Sequence, residues 1–74
     1  MTEQEKNLLE EISKLIHDEW IEWAKCIEHE VSDERRSRWQ TVYCEYDKLS
    51  EEMKDKDRDY AKKVLAMLKE KNVI

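Results

Sequence analysis

A chain of 74 residues that contains no glycine and no proline, and in which 45% of residues are charged, has almost no vocabulary for tight hairpin turns. Glutamate, lysine, leucine, isoleucine and alanine favour helix throughout. The expected fold class is all-α: a compact three-helix domain with a long N-terminal helix, comprising residues 1–74 as one unit. A chain this short buries only about 60% of its unfolded surface. Its core is small, and homo-oligomerisation is expected to supplement it.

Three cap signals divide the chain. Thr2 and Glu5 have capping-box spacing before an apolar-periodic run, which starts helix one near residue 3. Ser32, followed by Asp33 and Glu34, starts helix two, and Ser50, followed by Glu51 and Glu52, starts helix three. The predicted helices cover 3–30, 33–46 and 51–71. At 100° per residue, Leu8, Leu9, Ile12, Leu15, Ile16, Trp20, Trp23, Cys26 and Ile27 form a stripe about 140° wide, expected to be the core face of helix one. His17 falls on its flank and reads as a surface residue. Helix three carries Met53, Tyr60, Ala61, Val64, Met67 and Leu68 on one stripe.

The stretch Ser32–Trp39 places Arg35, Arg36, Arg38 and Trp39 in an otherwise acidic protein. Arg35 and Arg36 project to the side of Trp39, Val42, Tyr43 and Tyr46, whereas Arg38 points to the flank. Two carboxylates, Glu19 and Asp57, fall inside apolar stripes, where an unpaired charge costs several kcal/mol by the usual desolvation argument. Two readings follow. Either Arg35 and Arg36 neutralise these acids while Trp39 fills the core, or the arginines hold an anion beside a tryptophan on which a base stacks. Trp20 and Trp23, adjacent on helix one, extend an aromatic wall toward Tyr43 or fill the core. Arg58 pairs with acids of helix one or touches the same ligand.

Other chemistries are disfavoured. The net charge of −5 argues against non-specific nucleic-acid binding, which needs a broad cationic face. No apolar run reaches membrane-spanning length and no signal peptide is visible, so a cytoplasmic location and no membrane partner are expected. Cys26 and His29 have zinc-compatible spacing, yet His17 lies about 13 Å from Cys26 along a helix, so a four-ligand site does not converge. Neither a metal nor a cofactor is implied. Nothing supplies an oxyanion hole or an orienting third group for a Cys–His pair, and no enzyme activity is expected.

The run Tyr46-Asp47-Lys48-Leu49-Ser50-Glu51-Glu52-Met53-Lys54-Asp55-Lys56-Asp57-Arg58 resembles the C-terminal half of the ryanodine-receptor repeat (RyR) domain, and His17-Asp18-Glu19-Trp20 resembles its His-Glu-x-Trp segment. The family's Gly-Trp-x-Tyr-Gly segment is replaced by Glu-Arg-Arg-Ser-Arg-Trp, which looks like small RyR-like proteins of bacteriophages. The resemblance implies a non-enzymatic helical module. It further implies a nucleotide or ADP-ribose-derived signalling molecule as ligand and a counter-defence sponge in the host cytoplasm as role. The ligand-binding residues are then Trp20, Trp23, Arg35, Arg36, Arg38, Trp39, Tyr43 and Arg58. The alternative is a protein–protein adaptor or inhibitor that acts through the acidic helical surfaces.

Overall fold

The computed structural model describes residues 1–74 and contains three α-helices and no strand. Helix α1 spans Glu3–Ile27, α2 spans Asp33–Gln40 and α3 spans Glu51–Glu70, with short 3₁₀ turns at Glu28–Glu30 and Tyr46–Lys48. All three N-caps form as their side chains require. Thr2 accepts from the Glu5 amide at 3.1 Å, Ser32 from Arg35 at 3.2 Å and Ser50 from Met53 at 3.2 Å. Glu5 does not complete a capping box; its carboxylate instead meets Lys69 at 2.6 Å.

Helix one keeps its predicted extent by tightening its last turn, so that Glu28–Glu30 continue it as 3₁₀. Helix two is shorter than the predicted 33–46. It stops at Gln40, and the Thr41 hydroxyl there turns back onto the Arg38 carbonyl at 2.6 Å. Thr41, Val42 and Tyr43 are β-branched or aromatic and add little helical propensity. Their amides close the helix with i→i+3 bonds of 3.0–3.4 Å. This early stop frees the segment that carries Cys44 and Tyr46 to lie against α1.

Helices α1 and α3 pack antiparallel around Leu9, Ala61 and Leu65, with Leu8, Ile12 and Ile16 against that cluster. The buried positions of α1 are Leu9, Ser13, His17 and Ala24. The core face is therefore rotated from the predicted stripe, which leaves Leu15 68% and Trp23 53% exposed, with Cys26 also exposed. A stripe about 140° wide exceeds what one partner helix covers. Small side chains at Ser13 and Ala61 set where close approach is possible, and both are 0% exposed. Ser13 buries its hydroxyl without penalty by donating to the Leu9 carbonyl at 2.7 Å.

His17, expected at the surface, is 4% exposed. Its Nε2 donates to the Cys44 carbonyl at 2.7 Å, which satisfies a backbone acceptor released when α2 ended. The body measures 44 × 22 × 14 Å along its principal axes. None of its helices is long and apolar enough to cross a membrane.

Candidate functional site

None of the four expected participants of the charge network, Arg35, Arg36, Glu19 and Asp57, meets another of them: Arg36 and Asp57 take other partners, and Arg35 and Glu19 are exposed. Arg36 is held at home: its guanidinium donates to Asp33 at 2.8 Å, to the Glu28 carbonyl at 2.8 Å and to the Val31 carbonyl at 3.2 Å. It staples the α1–α2 junction and meets neither Glu19 nor Asp57. Arg35 is exposed on α2, where its backbone amide serves the Ser32 cap. Glu19 is exposed at the edge of an open cleft, so it carries no burial penalty to be neutralised. Asp57 is half-buried and faces His17, with Oδ2 at 3.8 Å from Nδ1. The rotation of α1 explains the change, because it brings His17 rather than Glu19 to the α3 seam.

Arg58 is the centre of a separate network. It donates to Glu10 at 2.6 Å, to Glu51 at 2.7 Å and to Asp55 at 3.0 Å. The Tyr46 hydroxyl donates to the same Glu10 at 2.6 Å. The Arg58 hydrogen bond holds the Glu10 carboxyl below the usual range, and Glu10 foremost raises the Arg58 guanidinium pKa. Burial, helped by the bond to Glu10, pushes the Tyr46 phenol up to about 12.

The principal cleft lies between α1, the end of α2 and the start of α3. It has a volume of about 590 Å³, and its walls include His17, Trp20, Arg38, Trp39, Lys56 and Asp57. Trp20 meets Trp39 edge to face, with centroids 5.5 Å apart and planes at 75°. On its other side Trp20 stacks on His17 at 6.3 Å with planes at 13°. Tyr43 leans on Trp20 at 5.9 Å and donates its hydroxyl to Glu28 at 3.0 Å. Burial and then that bond raise its phenol pKa. Trp23 touches Trp39 at 6.0 Å but lines a second, open cleft of about 410 Å³ with Ile16, Glu19, Tyr60 and Val64. Trp20 is a wall of both clefts.

Of the expected ligand residues, Trp20, Arg38 and Trp39 thus converge on one cleft, with Tyr43 behind Trp20. Trp23 stands on the opposite side, and Arg35, Arg36 and Arg58 lie elsewhere. Arg38, read from the wheel as a flank residue, is at the cleft because α2 ends two residues later and the chain folds back there. Lys56 and His17 join it unanticipated. The i, i+3 pair His17–Trp20 was the available signal, since both face the same groove. The guanidinium of Arg38 and the ammonium of Lys56 make no ion pair within the chain, in contrast to Arg36 and Arg58. Burial raises the Asp57 carboxyl above its ordinary value, and neighbouring His17 opposes that shift.

No protein-family model, curated protein or solved structure matches the chain.

Proposed function

We propose that this chain is a non-enzymatic binding module whose principal cleft holds a small anionic molecule carrying an aromatic ring, of the nucleotide class. One observation carries the reading: two cations without intrachain partners, Arg38 and Lys56, share a cleft with the Trp20–Trp39 pair. An arginine fork and an ammonium suit phosphate oxygens, and tryptophan faces stack bases for roughly 1–3 kcal/mol each. The volume of about 590 Å³ falls in the range of small-molecule sites. Binding rather than catalysis fits the single histidine of the cleft, because His17 commits Nε2 to the Cys44 carbonyl and turns Nδ1 to Asp57.

With the RyR-like pattern of Tyr46–Arg58, the reading extends to sequestration of a nucleotide or ADP-ribose-derived signal by a phage protein. The deciding experiment is calorimetry with a panel of adenine nucleotides, cyclic nucleotides and ADP-ribose derivatives. Saturable binding that weakens when Arg38 and Lys56 become alanine supports the reading, and no heat across the panel sinks it. The acidic outer faces favour no particular macromolecular partner, so the adaptor alternative has no comparable observation behind it.

A further inference from the structure

The second cleft asks for a different occupant. It opens on the side of the α1–α3 pair away from Arg38 and Lys56, and five of its six lining residues are apolar. Trp23 is 53% and Tyr60 64% exposed there, with exposed Met67 two turns further along α3. The buried cluster between the same helices consists only of Leu9, Ala61 and Leu65. A chain below about 80 residues with so small a core gains stability most directly by covering such a strip.

The charges at the strip are arranged for self-complementarity. Antiparallel packing, marked by the Glu5–Lys69 and His17–Asp57 contacts, puts Ile16 and Tyr60 close to one level along the helix pair. Glu19 lies one turn beyond Ile16 in one direction, and Lys63 lies one turn beyond Tyr60 in the other, each about 4.5 Å from that level. Neither Glu19 nor Lys63 has an ion-pair partner in its own chain; the Lys63 ammonium instead rests 4.8 Å over the Tyr60 ring. A two-fold axis that crosses both helices at the Ile16–Tyr60 level therefore lays Glu19 of one copy beside the partner's Lys63, and the reverse.

We infer that the occupant of this cleft is a second copy of the chain, and that the protein is an isologous dimer closed by Trp23, Tyr60, Val64 and Ile16, with two symmetric Glu19–Lys63 contacts. The apolar strip supplies the association, and the charges set the antiparallel register.

Sedimentation equilibrium on the full chain tests this. The unmodified protein is expected to be dimeric, and Glu19→Lys and Lys63→Glu each to raise the dissociation constant roughly tenfold or more by setting like charges against each other. An equimolar mixture of the two variants restores both opposite-charge contacts, so it is expected to dimerise as the unmodified protein does. That recovery also shows both variants to be folded. Tyr60→Glu is expected to give monomer with unchanged helical circular dichroism. A monomer at every concentration, or association indifferent to Tyr60→Glu, overturns the proposal. Equal dimerisation by the two charge variants alone and mixed overturns the register.

Discussion

The guanidinium of Arg58 and the carboxylate of Glu10 meet at 2.6 Å, joining residues 48 positions apart in sequence. Tyr46 adds its hydroxyl to the same carboxylate at 2.6 Å, so a single acid ties α1 to α3 and to the turn between α2 and α3. The Arg58 side chain is only 18% exposed, whereas that of Glu10 is 40% exposed. Solvent screening on the acid's side reduces the value of the pair below that of a fully buried one. Glu10→Gln is expected to lower unfolding free energy by about 1–2 kcal/mol, read as an earlier midpoint in urea at unchanged slope. Arg58→Lys is expected to cost a similar amount, because an ammonium cannot reproduce the fork that reaches Glu10, Glu51 and Asp55 together.

The same network sets the acid limb of stability. Glu5, Glu10 and Glu51 all titrate below their ordinary value of 4.5 in the folded chain, drawn down by Lys69, Arg58 and Arg58 respectively. A depressed carboxyl stabilises above its unfolded pKa and loses that contribution as pH falls through its folded pKa. Melting temperature is therefore expected to drop as pH is lowered below about 4.5. Asp57 has the opposite sign. Its raised pKa favours the folded state at low pH and withdraws that advantage as pH rises through the folded value. Asp57→Asn should therefore steepen the acid loss, and Glu10→Gln should flatten it, in melting curves collected across that range.

At the alkaline end Tyr46 is the reporter. Its phenol is displaced from 10.0 up to about 12, so the folded state holds this proton more tightly than the unfolded chain does. The associated stability is complete below pH 10 and disappears as pH approaches about 12. Ultraviolet titration of tyrosinate should show the Tyr43 and Tyr46 phenols both titrating above the ordinary range, the Tyr46 phase together with loss of helical signal, and Tyr46→Phe should remove that phase while leaving the Tyr43 one.

Much of this was legible locally. Caps at Thr2, Ser32 and Ser50 depend on residues three apart, and all three form. Of the aromatic and cationic residues singled out in Ser32–Trp39 and the Trp20–Trp23 pair, Arg38, Trp39 and Trp20 line the principal cleft, whereas Arg35, Arg36 and Trp23 do not. What escaped was rotational phase. The apolar stripe of α1 is wider than the face α3 covers, and the choice was made by Ser13 and Ala61, whose small size is inconspicuous in a hydrophobic pattern. Once that face turned inward, His17 replaced Glu19 at the seam with Asp57. The early end of α2, closed by the i→i+3 bonds of the Thr41, Val42 and Tyr43 amides, left no strong local signal, and with it went the position of Arg38.

Ser13 consequently offers a direct test of the packing. Its side chain is fully buried, and its hydroxyl donates to the Leu9 carbonyl. Ser13→Ala deletes a hydrogen bond whose acceptor keeps its helical amide partner, and is expected to change stability by less than about 1 kcal/mol. Ser13→Leu inserts volume at a fully buried position of α1 beside Tyr46 and is expected to cost about 1–3 kcal/mol or more. Chemical denaturation of the two variants should rank them in that order, contrary to hydrophobicity alone.

Arg35, Arg36 and Arg38 lie within four positions, yet the geometry gives them separate tasks, and binding measurements can separate them. Arg38 lines the principal cleft beside Trp39, Arg36 holds the Glu28 and Val31 carbonyls, and Arg35 is exposed away from the cleft. For any nucleotide-class ligand that binds, Arg38→Ala should weaken affinity by about 1.5–3 kcal/mol, the range for a charged hydrogen bond, with melting temperature nearly unchanged. Arg36→Ala should do the reverse, lowering melting temperature first and affinity only as a consequence. Arg35→Ala should be silent in both. Adding salt should weaken binding to the unmodified protein more than to the Arg38→Ala variant, because one cation fewer remains to be screened. Equal effects of Arg35→Ala and Arg38→Ala on affinity would show instead that the anion sits on the outer face of α2.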